Sequence, residues 1–226
     1  MNRHGRAVIF DMDGVLVDTA RAHFESWQVI AREYGTEITW EAFHRTFGRP
    51  NHQIIPELLG RPVSPEELRR IDRRKEEAFR KIVRDSIQPL PGVVELIRGL
   101  HGAGFRLGLG SSGPPENIRA ILKALEVEPF FEAVVSGHDV ERGKPAPDVF
   151  LMVAERLGVE PEACLVVEDV PAGVEAAHAA GMKCTAVTTT HGAASLEAAE
   201  VVLEDLAGFA PADAAALVDA DRTAPQ

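Results

Sequence analysis

The sequence predicts an α/β protein, a Rossmann-like doubly wound parallel sheet with an all-helical cap domain inserted into it. Six short apolar runs, at 7–10, 106–109, 133–136, 165–168, 185–187 and 201–203, are nearly continuous in Val, Ile, Leu and Ala, as strands covered on both faces of a parallel sheet are. Helical patterns separate most of these runs, which is the alternation of a doubly wound fold. The connection after the first run spans roughly 75 residues without a strand pattern, far longer than an ordinary crossover.

The N-terminal MNRHGRAVIF leads almost at once into the first strand. It has no apolar core of a signal peptide, and no run in the chain reaches the length of a membrane span, so neither export nor membrane insertion is expected. Four helices are expected in the long connection, at 19–34, 41–47, 52–59 and 64–83. The last has an N-terminal signature, with Ser64 as cap, Pro65 in the first helical position and Glu67 completing a capping box. The core is therefore assigned to 1–16 and 89–226 and the cap to 17–88. Two chain passages, near 15–19 and 88–91, join them, an arrangement that suits a lid. Core helices are expected at 92–100, 115–125, 147–157 and 171–180, each opening with Pro or Gly and keeping an apolar stripe. The polar tail after Asp219 is expected to fray.

Composition narrows the functional class. With 45% hydrophobic and 26% charged residues the chain reads as globular rather than disordered. A formal charge of −11 makes nucleic acid and anionic lipid poor partners. Positive charge is concentrated at 61–85, where nine Lys/Arg face six Asp/Glu. That pattern describes a solvated helix face, or more pointedly a basic surface facing an anionic substrate. Cys164 and Cys184 lie in apolar runs and read as buried free thiols, as in a reducing cytoplasm. Oligomeric state leaves no signal in the sequence.

Ligands of open α/β sheets bind beyond the carboxyl ends of the strands, and four consecutive strand ends here carry reactive groups. They are Asp11-Met12-Asp13-Gly14, Ser111-Ser112-Gly113, Lys144-Pro145 shortly after the third strand, and Glu168-Asp169. Each alone has a plain structural reading: a turn, a helix start, a surface lysine, a loop or cap. Together they converge several carboxylates that require a cation, and Mg²⁺ suits an all-oxygen set. A metal, a lysine and hydroxyl donors make a cradle for a phosphoryl dianion. A carboxylate there can attack phosphorus, and a second one two residues on can protonate the leaving oxygen and later activate water.

The series FDMDGVLVDT, PGVVELI, LGLGSS, GKPAPDVF and VVEDVPAG resembles the motifs of the haloacid dehalogenase superfamily. It is most similar to the branch containing β-phosphoglucomutase, phosphoglycolate phosphatase and sugar-phosphate phosphatases, and the likeness runs from Ala7 to about Leu206. The resemblance implies a Rossmann-like core with a cap of four or five helices. It makes Asp11 nucleophile and metal ligand, and Asp13 the acid/base with its backbone carbonyl on Mg²⁺. Ser111 and Lys144 would hold the transferring phosphoryl group, Asp169 would ligate the metal, and Glu168 would support the metal site through water. The stretch DTARAHFESW is similar to the mutase pattern that places a histidine and a tryptophan near substrate, here His23 and Trp27. Spacing four apart on one helix face is equally the mark of a packed pair. Lys81 aligns with a cap lysine of the mutase.

The departures separate two reactions of that branch. Where the mutase carries a cap arginine and distal Ser and Lys donors, this chain reads Gly48-Arg49-Pro50-Asn51 and Ser112-Gly113-Pro114. Arg49, Asn51 and Ser112 are the remaining candidate substrate contacts, and proline supplies no donor. Val170 replaces a residue usually hydroxylated in relatives. The expected function is therefore hydrolysis of a small sugar-like or organic phosphate, with mutase-type intramolecular transfer as the alternative. A phosphonate-cleaving relative fits less well despite the cap lysine Lys81. A phosphorylatable signalling module, the rival of another class, would lack the large helical insertion.

Overall fold

A computed structural model describes residues 5–46, 49 and 51–220. Strand β1 (Ala7–Phe10) is followed by four helices, α1 (Ala20–Glu33), α2 (Trp40–Thr46), α3 (Asn51–Leu59) and α4 (Pro65–Ser86). Strands and helices then alternate through α5 (Val93–Gly102), β2 (Arg106–Gly110), α6 (Pro115–Ala124), β3 (Ala133–Val135), α7 (Asp148–Leu157), β4 (Cys164–Glu168), α8 (Pro171–Ala179) and β5 (Lys183–Val187). Strand β6 (Val201–Leu203) and helix α9 (Pro211–Asp219) complete the described order. The chain divides into two compact units, one from residues up to 18 and from 88 onward, the other Thr19–Ile87.

In the first unit the six strands form a sheet of order β3-β2-β1-β4-β5-β6. Every pairing is parallel, with Ile9 of β1 opposite Gly108 of β2 on one side and Val166 of β4 on the other. The order turns at β1, so the crevice expected of such sheets lies at the carboxyl ends of β1 and its neighbours. Val8, Ile9, Leu107, Leu109, Val166 and Val167 are fully buried, each worth about 1.5–3 kcal/mol relative to exposure. Gly108 lets α7 lie close on the sheet, because a Cβ there would stand 2.2 Å from Cγ1 of Val153.

The described residues of the second unit form helices and short connections, with no strand among them. Phe24, Trp27, Ile30, Phe43, Ile54, Ile55 and Ile71 form its hydrophobic cluster. Ser64 caps α4 by accepting a hydrogen bond from the Glu67 N–H at 3.2 Å, with Pro65 next in the chain. Within the core unit the two passages toward this insertion run side by side. Val17 bridges Pro89 in antiparallel fashion, and the Leu90 N–H donates to the Leu16 carbonyl at 2.9 Å.

Several boundaries differ from the sequence expectation. β3 ends at Val135, because both the N–H and the hydroxyl of Ser136 donate to Asp139 Oδ2, at 2.8 and 2.6 Å. β4 and β5 begin earlier, at Cys164 and Lys183, and α4 continues to Ser86. Helix α9 was not expected, since its Ala-rich run buries only Ala214 and Val218 and shows little stripe. Phe47, Gly48, Pro50 and the tail beyond Ala220 fall outside the described residues.

Candidate active site

The strand ends gather the core residues that the sequence singled out. Asp11 directly follows β1, and its N–H donates to the Val167 carbonyl of β4 at 3.0 Å, extending the ladder by one residue. Glu168 ends β4 and Asp169 follows it. The carboxylates of Asp11, Glu168 and Asp169 are all buried, with one oxygen of each within 4.8 Å of the others. Lys144 Nζ donates to Asp11 Oδ1 at 2.5 Å, to Glu168 Oε1 at 2.6 Å and to the Gly110 carbonyl at 3.3 Å. Its ammonium also lies 4.7 Å from the centroid of the Phe150 ring. The second Glu168 oxygen accepts from the backbone N–H of Asp169 (2.8 Å) and of Val170 (3.1 Å). Gly173 is required beside it, since a Cβ there would fall 1.9 Å from the Glu168 carboxyl carbon.

Asp13 is half-buried two residues beyond Asp11 and is not one of the three clustered carboxylates. Gly14 has φ +78°, and a Cβ on it would fall 1.9 Å from Asp169 Oδ2, so this position needs glycine on both counts. Ser111 is fully buried at the end of β2, and its Oγ accepts from the Gly113 N–H at 3.1 Å. Ser112 is exposed, and its carbonyl packs against Gly137, where a Cβ would stand 2.4 Å away.

The electrostatics call for a cation. Burial drives the Asp11 pKa well above the usual carboxylate range; Lys144 opposes the shift, while Glu168 and Asp13 reinforce it. Burial likewise raises Asp169 to about 7, with the Thr190 hydrogen bond opposing it. Burial alone would lower the Lys144 pKa, but Asp11 and Glu168 outweigh it and hold the amine protonated. One ammonium thus serves the clustered carboxylates of Asp11, Glu168 and Asp169, and oxygen donors in negative excess fit a hard divalent ion.

The helical unit carries its own polar cluster. His23 on α1 stacks on Phe79 with centroids 4.1 Å apart, and its Nδ1 lies 2.8 Å from Lys75 Nζ. Burial and the Lys75 charge push the His23 pKa down to about 3, so the imidazole is neutral at pH 7. Lys75 also donates to Glu76 Oε1 at 2.8 Å. The Asn51 amide donates to Glu76 Oε1 (2.8 Å) and to Asp72 Oδ1 (2.7 Å). Trp27 is 2% exposed within the hydrophobic cluster, its ring centroid 5.5 Å from Lys75 Nζ. Lys81 is exposed and has no place in this cluster, the buried lysine beside His23 being Lys75. Arg49 is exposed and pairs with Glu57 at 3.0 Å. Within the positive run at 61–85, Arg61 is bound to Glu67 at 2.8 Å and Arg74 to Glu33 at 2.6 Å.

A family model described as haloacid dehalogenase-like hydrolase matches residues 6–181. The chain belongs to that family. Among curated relatives it is 36% identical to the phosphorylated carbohydrates phosphatase of Thermotoga maritima over 78% of this chain and 82% of that one. It is 35% identical to the fructose-1-phosphate phosphatase YqaB of Escherichia coli over 77% and 92%. Among solved structures it superposes on CbbY of Rhodobacter sphaeroides, determined in complex with phosphate, with a TM-score of 0.79 at 25% identity, covering 91% of this chain and 96% of that one.

For this haloacid dehalogenase-like hydrolase the sequence reading missed two residues. Lys75 falls on the buried stripe Ile71, Lys75, Ala78, Phe79 of α4, so helical phase would have distinguished it from the surrounding arginines. Thr190 follows the fifth strand, one strand beyond those searched for reactive groups, and its Oγ1 donates to Asp169 Oδ2 at 2.5 Å.

Proposed function

We propose that this protein is a Mg²⁺-dependent phosphatase that hydrolyses a small phosphorylated sugar or related organic phosphate through an aspartyl-phosphate on Asp11. The observation that carries the reading is the buried cluster of Asp11, Glu168 and Asp169 held by Lys144 at the carboxyl edge of a parallel sheet. The activities named for the two phosphatase relatives support the substrate class. Asp11, Glu168 and Asp169, together with the Asp13 backbone carbonyl, would hold Mg²⁺, which when bound offsets the charge of the phosphoryl group and of the carboxylates around it.

The Asp11 carboxylate attacks phosphorus, forming a P–O bond to Asp11 as the P–O bond to the leaving alcohol breaks. Asp13 gives its proton to that departing oxygen. Asp13, now ionised, takes a proton from water, which attacks the phosphoryl group and frees Asp11 and inorganic phosphate. Lys144 and the Ser111 hydroxyl hold the phosphoryl oxygens. The helical unit is assigned substrate selection, and the two buried free thiols suit a cytoplasmic setting.

Hydrolysis is favoured over mutase-type transfer by Asn51. Its amide donors are engaged by Asp72 and Glu76 and are not free to hold the second phosphate of a bisphosphate. The test is a screen of sugar phosphates, phosphoglycolate and nucleotides with Mg²⁺, with and without glucose 1,6-bisphosphate. Release of inorganic phosphate independent of the bisphosphate is expected. Conversion of β-glucose 1-phosphate to glucose 6-phosphate, faster than any phosphate release, overturns the choice.

A further inference from the structure

We propose that Thr190 is a positioning residue that fixes the Asp169 carboxylate for cation binding, and this rests on the metal site assigned above. Thr190 lies in the loop after β5. Its Oγ1 is 2.5 Å from Asp169 Oδ2, 3.3 Å from the Asp169 carbonyl and 3.0 Å from His191 Nδ1.

A hydroxyl has one proton to give. An ionised carboxylate is the strongest acceptor of the three and also the nearest. When the His191 ring carries its proton on Nδ1, that N–H donates to the hydroxyl oxygen and the hydroxyl proton is directed onto Asp169. Among the described residues Thr190 is the one side-chain donor hydrogen-bonded to this carboxylate. Glu168 is taken up by Lys144 and by the N–H groups of Asp169 and Val170, and the Val170 side chain has no donor.

The same oxygen is confined from the other side. A Cβ on Gly14 would fall 1.9 Å from Asp169 Oδ2 and 3.1 Å from Thr190 Cγ2. Oδ2 therefore sits between the Gly14 backbone and the Thr190 side chain, tethered by a hydrogen bond and walled by the glycine. Tying one oxygen fixes the plane of the carboxylate and leaves Oδ1 for the cation. Outer partners of this kind typically change metal affinity by about 10–100-fold when removed. Thr190 is exposed, so water competes for the bond and the lower end of that range applies.

The test measures Mg²⁺ binding by calorimetry and Mn²⁺ binding by electron paramagnetic resonance, without substrate. The proteins are the wild type, Thr190→Val, Thr190→Ala, Thr190→Ser and Asp169→Asn. Thr190→Val and Thr190→Ala are expected to weaken binding about tenfold, with the melting temperature of the metal-free protein unchanged. Thr190→Ser, which keeps the hydroxyl, restores binding to near the wild-type value. In turnover the Mg²⁺ concentration for half-maximal rate rises while kcat at saturating Mg²⁺ is retained. Wild-type affinity in both Thr190→Val and Thr190→Ala, with Asp169→Asn weakened, overturns the inference and leaves the metal site standing. Equal weakening in Thr190→Ser and Thr190→Val also overturns it, because the methyl contact and not the hydroxyl would then matter. A wild type that binds neither ion sinks both this inference and the metal site.

Discussion

Lys144 Nζ and Asp11 Oδ1 are 2.5 Å apart, although 133 residues separate them in the chain. The same ammonium reaches Glu168 at 2.6 Å, so one cation holds two buried carboxylates. Removing one partner of a buried pair costs about 3–5 kcal/mol, because the charge left behind is uncompensated. Lys144→Met is therefore expected to lower the urea-unfolding free energy of the metal-free protein by about that amount at pH 7.5 and to abolish turnover. The Lys144 pKa is raised by folding, so its contribution is fully present below the ordinary lysine value and is lost only as pH rises through the raised one. A loss under 1 kcal/mol, roughly the worth of an exposed pair, refutes the buried bridge.

Asp169 gives the metal-free protein a second pH dependence, of the same sense but in a lower pH range. Its folded pKa is raised to about 7, above the unfolded carboxylate value near 4. The folded state therefore binds its proton more tightly, and stability falls as pH rises from about 4 to about 7. Asp11, raised in the same direction, adds to this fall. A divalent ion bound to the ionised carboxylates reverses it. The increase in melting temperature on adding saturating Mg²⁺ is thus expected to grow between pH 5 and pH 8. A constant increment across that range contradicts the assignment.

Asp11→Asn keeps the shape of the side chain and removes the nucleophile. Turnover is expected to fall below detection while circular dichroism is unchanged. The variant should also acquire no acid-stable, hydroxylamine-sensitive phosphate label from substrate. Activity within tenfold of wild type refutes covalent catalysis at this residue.

Asp13→Ala removes a proton donor, an effect of about 10²–10⁴-fold. An activated aryl phosphate needs less protonation of its leaving group than a sugar phosphate. In single-turnover phosphorylation the sugar phosphate is expected to lose far more than the aryl ester. Equal losses would show that Asp13 is not the acid.

Lys75 and Lys81 lie six residues apart on one helix in different surroundings. Lys75 is 2% exposed beside His23 and Glu76, whereas Lys81 is exposed. Lys75→Ala is expected to cost about 3 kcal/mol or more, and Lys81→Ala to stay within about 0.5 kcal/mol. Chemical denaturation of the two variants side by side reads the difference, and equal costs refute it.

The contrast between these lysines shows what the sequence carried. Asp11, Asp13, Ser111, Lys144, Glu168 and Asp169 were legible because each sits at or shortly after the end of an apolar run, and a parallel sheet brings those ends together whatever their separation along the chain. The helical unit offered no such rule. His23 and Trp27 were found as a spaced pair, but Trp27 is packed among Phe24, Ile30 and Phe43. Lys75 stood in a run of cations where only helical phase marks the buried member. Asn51 was identified by position, but its capture by Asp72 and Glu76 depends on packing between α3 and α4, which residue spacing does not encode.

The bridge between Val17 and Pro89, with the Leu90 N–H on the Leu16 carbonyl, brings the two ends of the helical excursion together within the core itself. To the sheet, the whole excursion is topologically a single loop whose closure is fixed by those few backbone bonds. Such a loop is an evolutionary port. Changes confined to those helices are expected to leave the register of the core strands as it is. A shortened gene product joining residue 18 to residue 88 through a few glycines should still assemble the six-stranded sheet. The sheet edge proposed to carry the chemistry belongs to the core unit alone, and the insertion enters and leaves the core at one gap.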